Sequence, residues 1–146
     1  MMTAVTVKRL LEEKGNQVWS IAPEASVYSA LQLMADKGIG ALLVLDQGKL
    51  VGVISERDYA RKIVLLGKTS RETTVREIMS TKVYYVRPDQ RIEECMALMT
   101  QKAVRHLPVM EGDALVGIIS IGDVVKTIIS EQQFIIEQLE QFITGR

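Results

Sequence analysis

The chain is poor in the residues that carry most metal and redox chemistry. Among 146 residues it has one cysteine and one histidine. A single Cys excludes an intramolecular disulfide and a Cys-based zinc cluster. A single His excludes the H-E-x-x-H pattern and any two-His metal site within one chain. No metal site is expected. Net charge is also missing, because 18 basic side chains balance 18 acidic ones. Without a positive surplus the chain lacks the electrostatic footprint of a nucleic-acid binder. Long apolar runs are absent too. The longest, Ala41–Leu45, falls far short of the roughly 18 residues that cross a bilayer. The opening MMTAVTVKRLLEEKG has no apolar signal-peptide stretch and reaches charge by Lys8. A soluble cytoplasmic protein is expected, with no membrane or nucleic acid as partner. A chain of this length still buries roughly 68–70% of its unfolded surface, enough for a core.

What the sequence does contain is a repeat. Shifted by 65, residues 23–58 lie on residues 88–123 without a gap, and twelve of the 36 positions are identical. They include Pro23/Pro88, Leu33/Leu98, Gly52/Gly117, Ser55/Ser120 and Asp58/Asp123. Two copies are too few for a solenoid, which needs about three. They suggest a pseudo-symmetric pair closing one shared core.

The secondary structure follows the repeat. Val27, Ala30, Leu31 and Met34 fall on one helical face, and Ile92, Cys95, Met96 and Met99 repeat that stripe. The methionines read as core, and Cys95 as a small buried hydrophobe. ALLVL, Asp46-Gln47-Gly48 and KLVGVIS read as a hairpin, repeated as LPVM, Glu111-Gly112-Asp113 and ALVGIIS. A helix follows each: ERDYARKIVLL, stopped by Gly67, and IGDVVKTII, running on toward the C-terminus. Thr6-Val7-Lys8 matches Thr74-Val75-Arg76 at an offset of 68, so the first copy carries three extra residues within Lys14–Gln17. Thr74-x-x-Glu77 is a capping box and predicts a short helix. The copies span 5–66 and 74–129, with Lys68–Thr73 as linker. Residues 130–144 form an amphipathic helix that either packs on the core or pairs with another chain, the latter favoured.

Each copy ends its second strand with G-h-h-S-x-x-D: Gly52 to Asp58 and Gly117 to Asp123. Ser at a strand end is a good helix cap, and Asp three residues on meets the positive end of the helix dipole. The pair is therefore ordinary helix-start chemistry. It is equally suited to a ligand, since a carboxylate accepts from vicinal ribose hydroxyls and a strand-to-helix turn offers N–H groups to an anion.

Taken in order and doubled, these motifs resemble the tandem cystathionine-β-synthase-type (CBS) domain pair, over about Val5 to Ile129. The resemblance implies an α/β (α+β) fold of two pseudo-symmetric β-α-β-β-α units packed sheet to sheet, here with an extra C-terminal helix. It implies clefts that bind AMP foremost, or ADP, ATP, S-adenosylmethionine or NAD(H), and often a homodimer. Carried over by position, one cleft would use Asp123 on the ribose with Ser120 and Ile118 beside it. Arg105 would meet the phosphate, Trp19 and Ile39 would border the base, and Lys14 would stand at the mouth. The other would use Asp58, Ser55 and Arg57, with Tyr84 and Val104 at the base. The copies differ: Gly40-Ala41 stands where the second has Arg105-His106, and Arg57 where it has Gly122. The two clefts should differ in affinity or ligand. His106 reads either as a packed residue or as a phosphate neighbour, and Trp19 and Tyr84 either as core or as base-stacking residues.

Other motifs fail. Gly67-Lys68-Thr69-Ser70 lacks the upstream Gly of a P-loop, since position 62 is Lys. Gly38-Ile39-Gly40 would need Gly at position 43, which is Leu. No Ser-His-Asp set is visible. The expectation is a non-enzymatic regulatory module for energy or redox sensing, acting on a separate, unidentified protein. The alternatives are a constitutive scaffold with vestigial clefts and, last, a nucleotide-acting enzyme.

Overall fold

The computed structural model describes residues 5–145; residues 1–4 of the segment assessed for a leader lie outside them. In chain order the elements are α1 (Val7–Lys14), β1 (Ser20–Ile21), α2 (Val27–Lys37), β2 (Ala41–Asp46), β3 (Lys49–Ser55), α3 (Glu56–Tyr59), α4 (Val75–Ile78), α5 (Ile92–Lys102), β4 (His106–Glu111), β5 (Ala114–Ser120) and α6 (Ile121–Thr144). They group into two units. One is continuous, residues 18–84, and the other joins residues up to 17 to those from 85 onward.

The continuous unit realises the order β-α-β-β-α. β1 runs parallel to β2, which pairs antiparallel with β3. Ser26 caps α2 by accepting the Ser29 N–H at 3.1 Å. The helix then buries Val27, Ala30 and Met34 against Leu42, Val44 and Ile54. The other unit repeats this plan with β4 antiparallel to β5. Its Val86–Val109 bridge stands where Ile21 pairs with Val44. α5 buries Ile92, Cys95 and Met99. Met96, expected in that stripe, is only half-buried, because it lies on the flank of the helix face.

Two expected helices differ in form. ERDYARKIVLL is not one α-helix: α3 gives way to a π-helical turn over Ala60–Val64 before Gly67 ends it. The wider turn seats Ile63 in the core at 2% exposure and leaves Val64, Leu65 and Leu66 exposed. The C-terminal helix is not separate but continuous with the last helix of the second copy, as α6. Its Phe134 and Thr127 line a hollow of about 250 Å³ with Val5, Arg9 and Glu13 beside α1. Beyond it Ile136, Leu139, Phe142 and Ile143 are exposed. Among the described residues no helix is long and apolar enough to cross a membrane.

The connectors carry the main surprise. The N–H groups of Val7 and Lys8 donate to Gln90 and Pro88 of the second copy. Those of Val75 and Arg76 donate to Ala25 and Pro23 of the first. Each copy's leading helix thus folds with the other copy. The two helices are unequal. α4 ends at Ile78, and the chain turns extended so that Ser80 pairs with Val53 through two backbone bonds of 2.9 and 3.0 Å. α1 instead continues for a further turn to Lys14. Residues 15–17 then lead on from the end of that turn toward β1.

Both repeated glycines face these helices. A Cβ on Gly52 would lie 2.7 Å from the Met79 sulfur and 2.9 Å from the Ser80 carbonyl; on Gly117 it would lie 2.9 Å from Leu11. At Gly52 the close approach of backbone leaves no room for a side chain, whereas at Gly117 only the end of the Leu11 side chain stands in the way.

Candidate functional site

The strand-to-helix turns are built as expected of a cap, twice. Ser120 ends β5 and caps α6. Its hydroxyl accepts the Asp123 N–H at 3.1 Å, and Asp123 Oδ2 accepts the Ser120 N–H at 2.8 Å. Ser55 and Asp58 do the same at 3.2 and 3.0 Å, with the Ser55 hydroxyl adding a bond of 3.0 Å to Oδ2. Reciprocal bonds of this kind satisfy donors that a helix start leaves open.

The surroundings of the two carboxylates differ. The Lys14 ammonium, at the end of α1, donates to Asp123 Oδ2 at 2.6 Å and to the Ile118 carbonyl at 2.8 Å. Burial pushes the Asp123 carboxyl up, but Lys14 and the Ser120 bonds outweigh it and hold its pKa below the usual value. Asp58 meets Lys62 at 3.7 Å, one helical turn on, and Lys62 also donates to the Ile78 carbonyl at 3.0 Å. Lys62 was not singled out from the sequence, although i,i+4 spacing from Asp58 was a readable signal.

Register brings the basic pair of the second copy to its turn. His106 pairs directly with Ser120 across the hairpin, and the Arg105 carbonyl accepts the Ile121 N–H at 2.8 Å. Burial lowers the His106 pKa, with Lys14 and Arg105 adding to it and Asp123 opposing. Lys14, Arg105, His106, Ile118, Ser120 and Asp123 thus gather in one unit. In the other, Ala41 pairs with Ser55, and the Gly40 carbonyl accepts the Glu56 N–H at 3.0 Å. There Gly40 adds no charge, and Arg57, exposed on α3, is a basic residue of the turn beside Lys62.

The expected base-flanking residues fall as follows. Trp19 and Ile39 belong to the unit of residues 18–84. The Lys37 ammonium lies 4.2 Å from the centre of the Trp19 ring, and Ile39 packs partly buried on that unit's core. Tyr84 ends the same unit, while Val104 lies in the other, its N–H bonded to Met99 at 3.1 Å. A cavity of about 660 Å³ in the unit holding Asp123 involves none of these residues; it lies between α1 and the β4–β5 hairpin, over Leu11, Pro88, Met110 and Val116. Cys95 is fully buried, and burial pushes its thiol up to about 12, with Glu94 adding to it. Among the described residues no three His, Cys, Asp or Glu side chains gather as a metal site.

Comparison with known proteins matches the CBS domain model to residues 5–65 and 75–130. The CBS domain-containing protein CBSX3, mitochondrial, of Arabidopsis thaliana is 34% identical, over 97% of this chain and 73% of that protein. A solved structure of a protein with CBS domains from Burkholderia ambifaria MC40-6 is 50% identical, with a TM-score of 0.85, over 88% of this chain and 96% of that one. The fold is shared, at 24% identity and a TM-score of 0.75, with the CBS domain pair of MJ0100, solved in complex with 5′-methylthioadenosine and S-adenosyl-L-methionine; the match covers 88% of this chain and 97% of that one.

Proposed function

Because the chain belongs to the CBS domain family, we propose that it is a regulatory module that binds an adenosyl ligand at the strand-to-helix turns, its occupancy read by a separate protein. The observation that carries this is the turn at Ser120–Asp123. A carboxylate held in its ionised form stands at a helix start, with Lys14, Arg105 and His106 in the same unit. Asp123 accepts the ribose hydroxyls, and Arg105 and His106 meet the phosphate. Ile118 and Ser120 flank them. Asp58, Ser55 and Arg57 form the corresponding set in the other unit, where Gly40 adds no charge. Trp19, Ile39, Tyr84 and Val104 serve the bases. AMP is the foremost ligand, with ADP, ATP, NAD(H) and S-adenosylmethionine as the others. The fold of MJ0100, which holds two adenosyl compounds, supports this class of ligand. The reading assigns no catalysis. It includes a homodimer, supported by the exposed apolar end of α6, and a cytoplasmic site of action.

Ligand must favour one state of the protein over another for occupancy to be read. A thermal-shift panel with AMP, ADP, ATP, S-adenosylmethionine and NADH tests the reading. A ligand at 100 times its Kd adds about 2.7 kcal/mol of stability; no shift with any of the five refutes it. Asp123→Ala and Asp58→Ala are each expected to weaken one site, by calorimetric titration.

The reciprocal caps favour a second reading, a scaffold in which Ser and Asp only start helices. In that case both Asp variants lose stability, about 1 kcal/mol for a lost cap, and the panel produces no shift.

A further inference from the structure

The two turns share their caps but not what covers the strand behind them. In the 18–84 unit, Val53 gives both its N–H and its C=O to the backbone of Ser80. Ile118 is the matching residue of the other unit. It pairs opposite Pro108 as Val53 pairs opposite Leu43, at a position of the antiparallel ladder whose backbone groups point outward, so the Ile118 carbonyl points away from β4. Here the extra turn of α1 replaces the backbone partner with a side chain. The Lys14 ammonium takes the Ile118 carbonyl at 2.8 Å and the Asp123 carboxylate at 2.6 Å. A backbone pair is released only by unpairing the chain. An ammonium on a flexible stem is released by rotating its own side chain, and this one is a third exposed.

We propose that Lys14 is a built-in competitor for the nucleoside part of the ligand, present at the Asp123 site alone. This rests on the proposed role of Asp123. The Lys14 ammonium holds Asp123 Oδ2, so a ribose hydroxyl that donates to that oxygen competes with Lys14 for it. The displaced residue is the last of α1, before Gly15 at φ 99°. Leu11, one turn earlier, is packed on Gly117. Ligand arrival at Asp123 thereby frees the end of α1 and gives occupancy a mechanical output. At Asp58 the contact is looser, 3.7 Å, and Lys62 comes from the helical segment that Asp58 starts, so its displacement frees no separate element.

The test is calorimetric titration of the full chain with adenosine, which carries no phosphate to be attracted by Lys14. Lys14→Met and Lys14→Gln are both expected to bind adenosine about tenfold tighter than the parent, a gain of about 1.4 kcal/mol. Two variants guard against a fold lost by either one, and circular dichroism confirms that each is folded. Equal or weaker adenosine binding in both, with one site still weakened by Asp123→Ala, overturns the competitor role and leaves the ribose assignment standing. Binding that is tighter in both but indifferent to Asp123→Ala also overturns it. No adenosine binding by any of the proteins overturns the proposal together with the reading it rests on.

Discussion

A single histidine makes the neutral-to-acid limb of stability simple to assign. Burial lowers the His106 pKa below its ordinary value of about 6.5. A folded-state pKa depressed in this way means that the unfolded chain binds the proton first. His106 therefore contributes stability that is complete above about pH 6.5 and is lost as pH falls through the folded-state pKa. His106→Gln is expected to flatten the fall in urea stability between about pH 7 and pH 5. An unchanged slope would show that burial of this ring is not what titrates. Asp123 acts with the same sign further into acid: its contribution holds above about pH 3.9 and disappears below. The types of residue at the turn were legible from the doubled Ser-x-x-Asp, since capping is local and spans three positions. The bond from Lys14 to Asp123 was not. It joins residues 109 apart in sequence, and only the fold of α1 onto the second copy brings them together.

At the scale of elements, the repeat holds glycine at one place and abandons it at another. Gly52 and Gly117 lie where a helix end crosses a strand. Gly52→Ala must move the Ser80 backbone, whereas Gly117→Ala need only shift the flexible end of Leu11. Overpacking of this kind costs about 1–3 kcal/mol, and Gly52→Ala should cost more by urea denaturation; the reverse order would mean that the helix-end packing differs from that described. Gly38 closes α2 in the left-handed region at φ 64°, but the matching residue after α5 is Ala103 at φ 53°. A side chain is disfavoured there. Ala103→Gly is expected to stabilise the protein by up to about 1 kcal/mol, read as a rise in Tm. Strands and long helices were readable because apolar periodicity is dictated by the face each buries. The π-helical turn over residues 60–64 was not, because Tyr59, Ile63 and Leu66 fit an ordinary helical stripe. The two differ in the spacing of their backbone hydrogen bonds, which side-chain periodicity does not report.

For the whole molecule, sequence order and spatial order part company. Leu10 lies in the leading helix of the first copy and is 3% exposed, yet it belongs to the unit built from the second. Leu10→Ala is expected to cost about 2–5 kcal/mol. By hydrogen exchange the lost protection should appear in α5, β4 and β5 rather than in β1–β3. Loss confined to β1–β3 would contradict the exchange of helices. The matched bonds of Val7 with Gln90 and Val75 with Ala25 make that exchange reciprocal. A single copy of the repeat, expressed on its own, would carry a leading helix with nowhere in its own fold to dock. Its natural remedy would be a twin that lends the same helix in return. The tandem chain then has the form expected of two such genes fused end to end, with fusion turning a loan between molecules into a loan within one. Fusion also lets the two halves drift apart, and the turn added to α1 in one half alone is a change that an assembly of identical halves could not have made.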